Sequence, residues 1–412
     1  MIERVNAQQT GVPLNRIIST VLVCFLGTCC VAKADDSIQM KLDSQGGAIV
    51  TRSQLNPYPR LVAEFEPTQV LLFGVSDWQP AHREILIEIA KKTAGHVNVM
   101  ILCNNTWQIK DTTEWLLEGS NDFEHIYFRE IALDTVWLRD FGPIFSQTAT
   151  GAQALDFYYE GTRPKDDELP SVWSRLTGTK YVKVPWTIQG GNLICNGQGT
   201  ALVTNRVFED NFITFPSPTA GQNPEVERRK MVVDELVKFT NLSQLVVLEP
   251  LESESTKHVD MFATFLSPDD VLVAKLDPSA DPINAAILDR NAARLQAVRV
   301  GEGSMRVHRV EIPVRQGTSW SAYTNAIIAS DLVLIPVFQS DPIALVHAAV
   351  ATYQRLLPEH SVKTIDMTSM KELQGELHCL SLHVPAFAAV PDSIYPFKNS
   401  VRAYFPEKIE AR

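Results

Sequence analysis

From Leu61 onward the apolar positions of this chain alternate between two rhythms. Unbroken apolar runs, such as Val70-Leu71-Leu72-Phe73 within Thr68–Gly74, predict strands buried on both faces. Between them apolar residues return every three or four positions, the period of a helix with one buried face. Pro80–Lys92 is the first such stretch, with Ile85, Ile87, Ile89 and Ala90 supplying its apolar surface, and a strand follows at His96–Leu102. Pro224–Thr240 is the clearest helix: Asn223 can cap it, Pro224 suits the first turn, and Met231, Val232, Leu236 and Phe239 recur at helical spacing. Further helices are expected from Pro282, with Leu288, Leu295 and Val298, and over Ile343–Leu357.

Strand-like runs at Pro143–Phe145, Ala201–Thr204, Val271–Ala274 and Leu332–Ile335 join the one at Val70 to make five strand-rich units. No Gly/Ser linker or charge run divides the chain after Leu61, so residues 61–412 read as one α/β domain of mixed sheets. Residues 35–60 are polar and read as an irregular tether.

The N-terminus has a different pattern. Arg16 precedes an apolar run from Ile17 to Ala32, and Ala32-Lys33-Ala34 fits a small-x-small cleavage site. The run is shorter than the ~20 residues of a spanning helix, so residues 1–34 are expected to be a cleavable signal peptide and the mature protein to be secreted or periplasmic, without stable membrane insertion. Cleavage would remove three of six cysteines and leave Cys103, Cys195 and Cys379, an odd number that does not build a disulfide framework. Cys103 and Cys195 lie in apolar runs and are expected to be buried and inert. The net charge of −11 gives no basic face for nucleic acid, so no nucleic-acid partner is expected.

Polar residues collect at the ends of the apolar runs in five places: Trp137–Pro143, Gln189–Asn192, Lys257–Asp260, Tyr323–Asn325 and Glu376–Cys379. Each alone has a bland reading as a turn, an ion pair or a small core residue. Several templates are absent: there is no His-Glu-x-x-His, no Gly-x-Ser-x-Gly and no Walker loop. His258 and Asp260 offer two ligands to a metal, but no third is evident, so no metal site is expected. What remains, a thiol, a histidine and several carboxylates, fits cysteine-dependent nucleophilic catalysis.

In this order the five pieces resemble the guanidino-group-modifying superfamily, and most closely its branch of Porphyromonas-type peptidylarginine deiminases and agmatine deiminases. The resemblance rests on Trp137-x-Arg139-Asp140-x-Gly142-Pro143, Gly190-Gly191-Asn192 followed by Asn196-Gly197-Gln198-Gly199-Thr200, His258-Val259-Asp260, Tyr323-x-Asn325 and His378-Cys379. It implies a five-bladed pseudosymmetric α/β propeller and a hydrolysis that turns a guanidinium into a ureido group plus ammonia, without a metal or organic cofactor. It makes Cys379 the nucleophile, favoured as thiolate beside the bound cation and a protonated His258, and His258 the proton shuttle. Asp140 and Asp260 would grip the planar cation through its N–H forks, as carboxylates do. Asn325 would orient substrate or thiol, and Trp137 would lie against the cation. Gln189, Gly190 and Asn192 would line the substrate site, while Arg139 would hold Asp140. His378, on a strand, would point away from Cys379 and is not expected to be the base.

The resemblance implies a small-molecule or peptide guanidine as substrate. Gln189 stands where agmatine deiminases commonly have Glu, and Tyr158–Asp167 is more like the loop of the peptidylarginine branch. That loop places Arg163 on one of two arginines expected to grip a C-terminal carboxylate, whereas Gly161 replaces the other. Peptidyl or C-terminal arginine is the main expectation, with agmatine as alternative. An amidinotransferase and a non-catalytic guanidine-binding protein stay open, and the sequence sets no oligomeric state.

Overall fold

The computed structural model describes residues 38–42, 47–52, 56–76, 82–120, 122–211, 224–373 and 375–410. The expected signal peptide and the expected cap Asn223 lie outside these. Five sheets follow one plan. An inner strand runs antiparallel to a middle strand, and the middle strand runs parallel to a third that is reached through a helix. Parallel neighbours cannot be joined by a tight turn, so a helical crossover is the form this connection takes.

In chain order, Ile144–Thr148, Gly151–Tyr158 and Lys180–Thr187 form one such unit, crossed by Pro164–Asp167 and Leu169–Thr177. Ile194–Cys195, Thr200–Thr204 and Gln244–Leu248 form the next, crossed by Pro224–Thr240. Ala263–Phe265, Asp270–Lys275 and Arg306–Glu311 follow with the helix Pro282–Gln296. Ile327–Ala329, Leu332–Val337 and Ser361–Asp366 follow with Ile343–Leu356. The fifth joins the two ends of the domain: the inner strand Ser381–Pro385 pairs with Thr68–Gly74, Leu382 opposite Leu72, and Thr68–Gly74 lies parallel to Asn98–Cys103 beyond the helix Arg83–Thr93. The result is the five-bladed α/β propeller that the resemblance implied. Middle strands such as Val271–Ala274 and Leu332–Ile335 are buried along their length, which is why they read as unbroken apolar runs.

The tether needs correction. Ile38–Leu42 and Ala48–Arg52 are antiparallel strands, and the second pairs with Gln244–Leu248 to widen the second of these sheets. Ala48 and Val50 are buried in the cluster of Val233, Leu236 and Val237. Two five-residue strands in a stretch rich in polar residues are a weak signal in a sequence, and the edge they dock on is what makes them strands. Residues 36–412 accordingly form one compact unit.

Candidate active site

Each inner strand is entered through a tight turn, and the five turns carry the five polar clusters. Leu138–Phe141 precedes Ile144–Thr148, Gly190–Asn192 precedes Ile194–Cys195, and Val259–Met261 precedes Ala263–Phe265; the turn through Asn325 precedes Ile327–Ala329, and His378–Leu380 precedes Ser381–Pro385. Repetition of one fold unit therefore brings to one place residues far apart in the chain.

The meeting point is Gly191. A Cβ built there would lie 2.6 Å from His258 Nδ1, 2.9 Å from Asp140 Oδ1 and 3.0 Å from Asp260 Oδ2. Three groups from three turns thus face a slot that only glycine leaves open. The Gly191 N–H donates to Asp140 Oδ1 at 3.3 Å. His258 Nδ1 stands 3.5 Å from the same oxygen, too far for a good hydrogen bond. Among the described residues neither nitrogen of the buried His258, nor Asp260 Oδ1, meets a hydrogen-bond partner. Buried polar atoms are seldom left so, and these sit beside two carboxylates, an arrangement complementary to a flat cation with several N–H groups.

Burial, and then the Asp260 charge, push the Asp140 carboxyl up to about 7. Burial pushes His258 down to about 4, with Arg206 and His378 helping and Asp260 opposing. Burial followed by Asp260 and Asp140 raises the Cys379 thiol well above its ordinary range, although Asn325 and a backbone bond from Glu376 pull the other way. Without substrate, thiol and imidazole are therefore both neutral at pH 7. The expected thiolate and protonated His258 belong to the site with a cation bound; in the empty site burial outweighs the nearby carboxylates.

Cys379 and Asn325 are neighbours, with the amide nitrogen 3.6 Å and the amide oxygen 3.7 Å from Sγ. The Asn325 oxygen also accepts from the His378 N–H at 2.9 Å, which ties the nucleophile's turn to the preceding blade. His378 does not point away as a strand residue would. It lies in a 3-10 turn with Cys379, where the two-residue alternation fails. Its Nδ1 is 2.8 Å from Asp260 Oδ2 and its Nε2 is 2.7 Å from Glu64 Oε2.

The remaining expected residues fall into supporting places. The half-buried Trp137 ring lies on the backbone of Gly375, where a Cβ would come within 2.1 Å of it, so it packs on the loop leading to Cys379. Asn192 is spent on structure: its Oδ1 accepts from Thr204 N at 2.9 Å and Thr204 Oγ1 at 3.0 Å. The one proton of that hydroxyl is shared with the carbonyl of Lys257, next to His258, which lies 2.6 Å away. Gly190 lies against the Arg139 carbonyl, which a Cβ would strike at 2.1 Å. Gln189 is buried, and its carbonyl accepts from Asn192 N at 2.8 Å. Arg139, expected to hold Asp140, pairs instead with Glu64 and donates to His383 Nδ1 at 2.9 Å. Arg163 donates to the Tyr159 hydroxyl at 2.8 Å and stands 3.6 Å from Glu160. Tyr159 packs on Phe141, beside Asp140. Asp166 and Asp167 accept from backbone and Thr135 groups, and the ion pair of Arg163 is with Glu160.

Gly191 and Glu64 were not singled out from the sequence. Gly191 carried a signal in the doubled glycine. Glu64 carried none, since it reaches the site from the segment between two strands. Cys103 and Cys195 are free thiols that burial pushes up to about 12.

The comparisons with known proteins bear on the fold and the family. An agmatine deiminase from Stutzerimonas stutzeri is 25% identical over 292 residues, which cover 62% of this chain and 76% of that protein. Among solved structures, C. jejuni agmatine deiminase aligns with a TM-score of 0.64 at 18% identity, over 85% of this chain and 99% of its own. Agmatine deiminase of Enterococcus faecalis aligns with a TM-score of 0.66 at 18% identity, over 79% and 96%. At such identities these structures speak for the fold. The Porphyromonas-type peptidyl-arginine deiminase family matches residues 60–385, most of the chain, and it is to this family that the protein belongs.

Proposed function

We propose that this hydrolytic deiminase works through the slot at Gly191, with Cys379 as nucleophile, His258 as proton shuttle, and Asp140 and Asp260 as the grip on the guanidinium. The observation that carries the reading is the convergence of His258, Asp140 and Asp260 on one side-chain-free point, with buried polar atoms unpaired. Substrate binding places a cation between the two carboxylates and beside the thiol. A cation favours the thiolate, and the neutral His258 can accept the proton the thiol gives up. The sulfur then attacks the guanidinium carbon. The imidazolium returns its proton to the departing nitrogen, ammonia leaves, and an S-alkylthiouronium remains. His258, neutral again, takes a proton from water, and the hydroxide adds to the carbon. The carbon–sulfur bond breaks, the ureido product forms, the last hydroxyl proton goes to the sulfur, and the imidazolium of His258 gives its proton to solvent, restoring the neutral pair. Asn325 holds the thiol in register.

The test is an assay of ammonia and ureido product across agmatine, free arginine and peptides with internal or C-terminal arginine. Cys379→Ala should bind substrate and release no ammonia. Activity above a few per cent in that variant removes Cys379 from the mechanism. Transfer to an added amine without ammonia would make the enzyme an amidinotransferase.

Peptidyl or C-terminal arginine remains the substrate proposed from the Tyr158–Asp167 loop. Agmatine is the second reading, favoured by one observation: Arg163 is already engaged by Tyr159 and Glu160. Export is proposed from the apolar run ending at Ala32-Lys33-Ala34, and N-terminal sequencing of the mature protein tests it.

A further inference from the structure

His378 lies between two carboxylates and reaches the substrate-binding group from behind. Both its nitrogens meet carboxylate oxygens at short range, Nδ1 to Asp260 Oδ2 at 2.8 Å and Nε2 to Glu64 Oε2 at 2.7 Å. Ionised carboxylates only accept hydrogen bonds, so two such contacts need both ring nitrogens to donate, and the ring must be an imidazolium. The residue is fully enclosed, which makes a charge there expensive unless it is paired on both sides.

We propose that His378 is a positioning residue, a buried imidazolium slung between Glu64 and Asp260 that fixes the Asp260 carboxylate with its Oδ2 edge held at the slot above Gly191. Asp260 Oδ2 meets His378 and is also the oxygen 3.0 Å from a Cβ built on Gly191, while Oδ1 has no partner among the described residues. Without the bridge the carboxylate can rotate about its last bond and offer either edge. Glu64 completes the device from outside the five turns. It pairs with Arg139, which in turn donates to His383, whose other nitrogen meets the Ile328 carbonyl at 3.0 Å.

The charges around His378 are those of Asp260, Glu64 and Arg139, with the neutral rings of His258 and His383 nearby. Burial and Arg139 work against its charge, yet Glu64 and the two hydrogen bonds prevail, and His378 is raised above the ordinary histidine range. Burial likewise disfavours the Glu64 carboxylate, but Arg139 and His378 beside it hold it well below the usual range. The device is thus distinct from the proton shuttle. His258 is neutral and unpaired where it must exchange a proton, and His378 is charged and doubly paired where it must not.

The kinetic arm of the test rests on the deiminase reading, and a spectroscopic arm does not. In the full chain labelled with ¹⁵N-histidine, the resonance lost in His378→Gln should show both ring nitrogens protonated at pH 7. In Glu64→Gln, which keeps the shape but removes the charge, the same ring should deprotonate at lower pH. Glu64→Gln should raise KM for the guanidine about tenfold, the scale of one charged hydrogen bond, with kcat changed less than about threefold. Its kcat/KM should also acquire a new fall on the alkaline side, where His378 loses its proton. A neutral His378 ring in the wild-type protein at pH 7 overturns the proposal. So does a Glu64→Gln enzyme that loses activity equally at every pH, since that is what loosened packing alone would do. Wild-type protein that releases no ammonia from any guanidine would defeat the deiminase reading and leave the spectroscopic arm to decide the bridge.

Discussion

The substrate cation should displace a proton from Asp140, and its affinity should therefore climb steeply between pH 5 and pH 8. Asp140 has no cation of its own in the slot; burial and the Asp260 charge push it up to about 7. Asp140 Oδ1 and Asp260 Oδ2 both lie within 3.0 Å of the point above Gly191. A guanidinium N–H there would be close to both carboxylates. At an effective dielectric of ~20, a charge pair ~4 Å apart is worth about 4 kcal/mol. Removing a proton one pH unit below its pKa costs about 1.4 kcal/mol, so the cation should win over the proton. If binding requires ionised Asp140, the dissociation constant should rise about tenfold per pH unit below 7, or about a hundredfold from pH 8 to pH 5, near 3 kcal/mol. The clean system is Cys379→Ser, which cannot turn over and has no thiol proton to release. His258, pushed down to about 4, stays neutral across this range and does not confuse the slope. Titration calorimetry with agmatine in buffers of different ionisation enthalpy should count close to one proton released at pH 6 and close to none at pH 9. Asp140→Asn should flatten the dependence while lowering affinity at pH 8. A dissociation constant constant from pH 5 to pH 8 in Cys379→Ser would refute the reasoning.

Gly191→Ala should keep its melting temperature within a few degrees and lose at least about a hundredfold in kcat/KM, because the added methyl occupies the place 2.6 Å from His258 Nδ1; activity near wild type would show that substrate binds elsewhere. Arg163→Ala should raise KM for a peptide ending in arginine about five- to thirtyfold and leave agmatine unchanged, the scale of one charged contact in a partly open site; equal losses on both substrates would mean that Arg163 only supports Tyr159. Asn192→Ala removes two buried hydrogen bonds to Thr204 and should destabilise the fold by about 1–3 kcal/mol in denaturant melts, and an unchanged midpoint would count against its structural role.

Much of the fold was legible because its middle strands are buried on both faces. Thr68–Gly74 and Pro224–Thr240 run over the residues the apolar pattern predicts. Pro143 was read as a strand start, and the strand begins one residue later, at Ile144, since proline has no N–H to give a ladder. The five polar clusters were legible too, as ends of apolar runs. What was not legible depends on partners distant in sequence. The hairpin at 38–52 needs the edge of Gln244–Leu248. Glu64 needs Arg139 and His378 to be anything but a surface glutamate. His378 was misread through a local assumption, that the stretch is strand, which the 3-10 turn overturns. Its charge state follows from three side chains that no local window contains.

The closing of the ring by Ser381–Pro385 against Thr68–Gly74 also sets a timetable. A ribosome delivers Glu64 and Asp140 early and Cys379 among the last residues of the domain, together with the strand that locks first blade to last. Partial chains would carry the proposed grip for the cation but neither the proposed nucleophile nor the closure that turns it inward. On the proposed mechanism the enzyme cannot begin work while it is being made, and a stop codon anywhere before residue 379 should yield an inert chain.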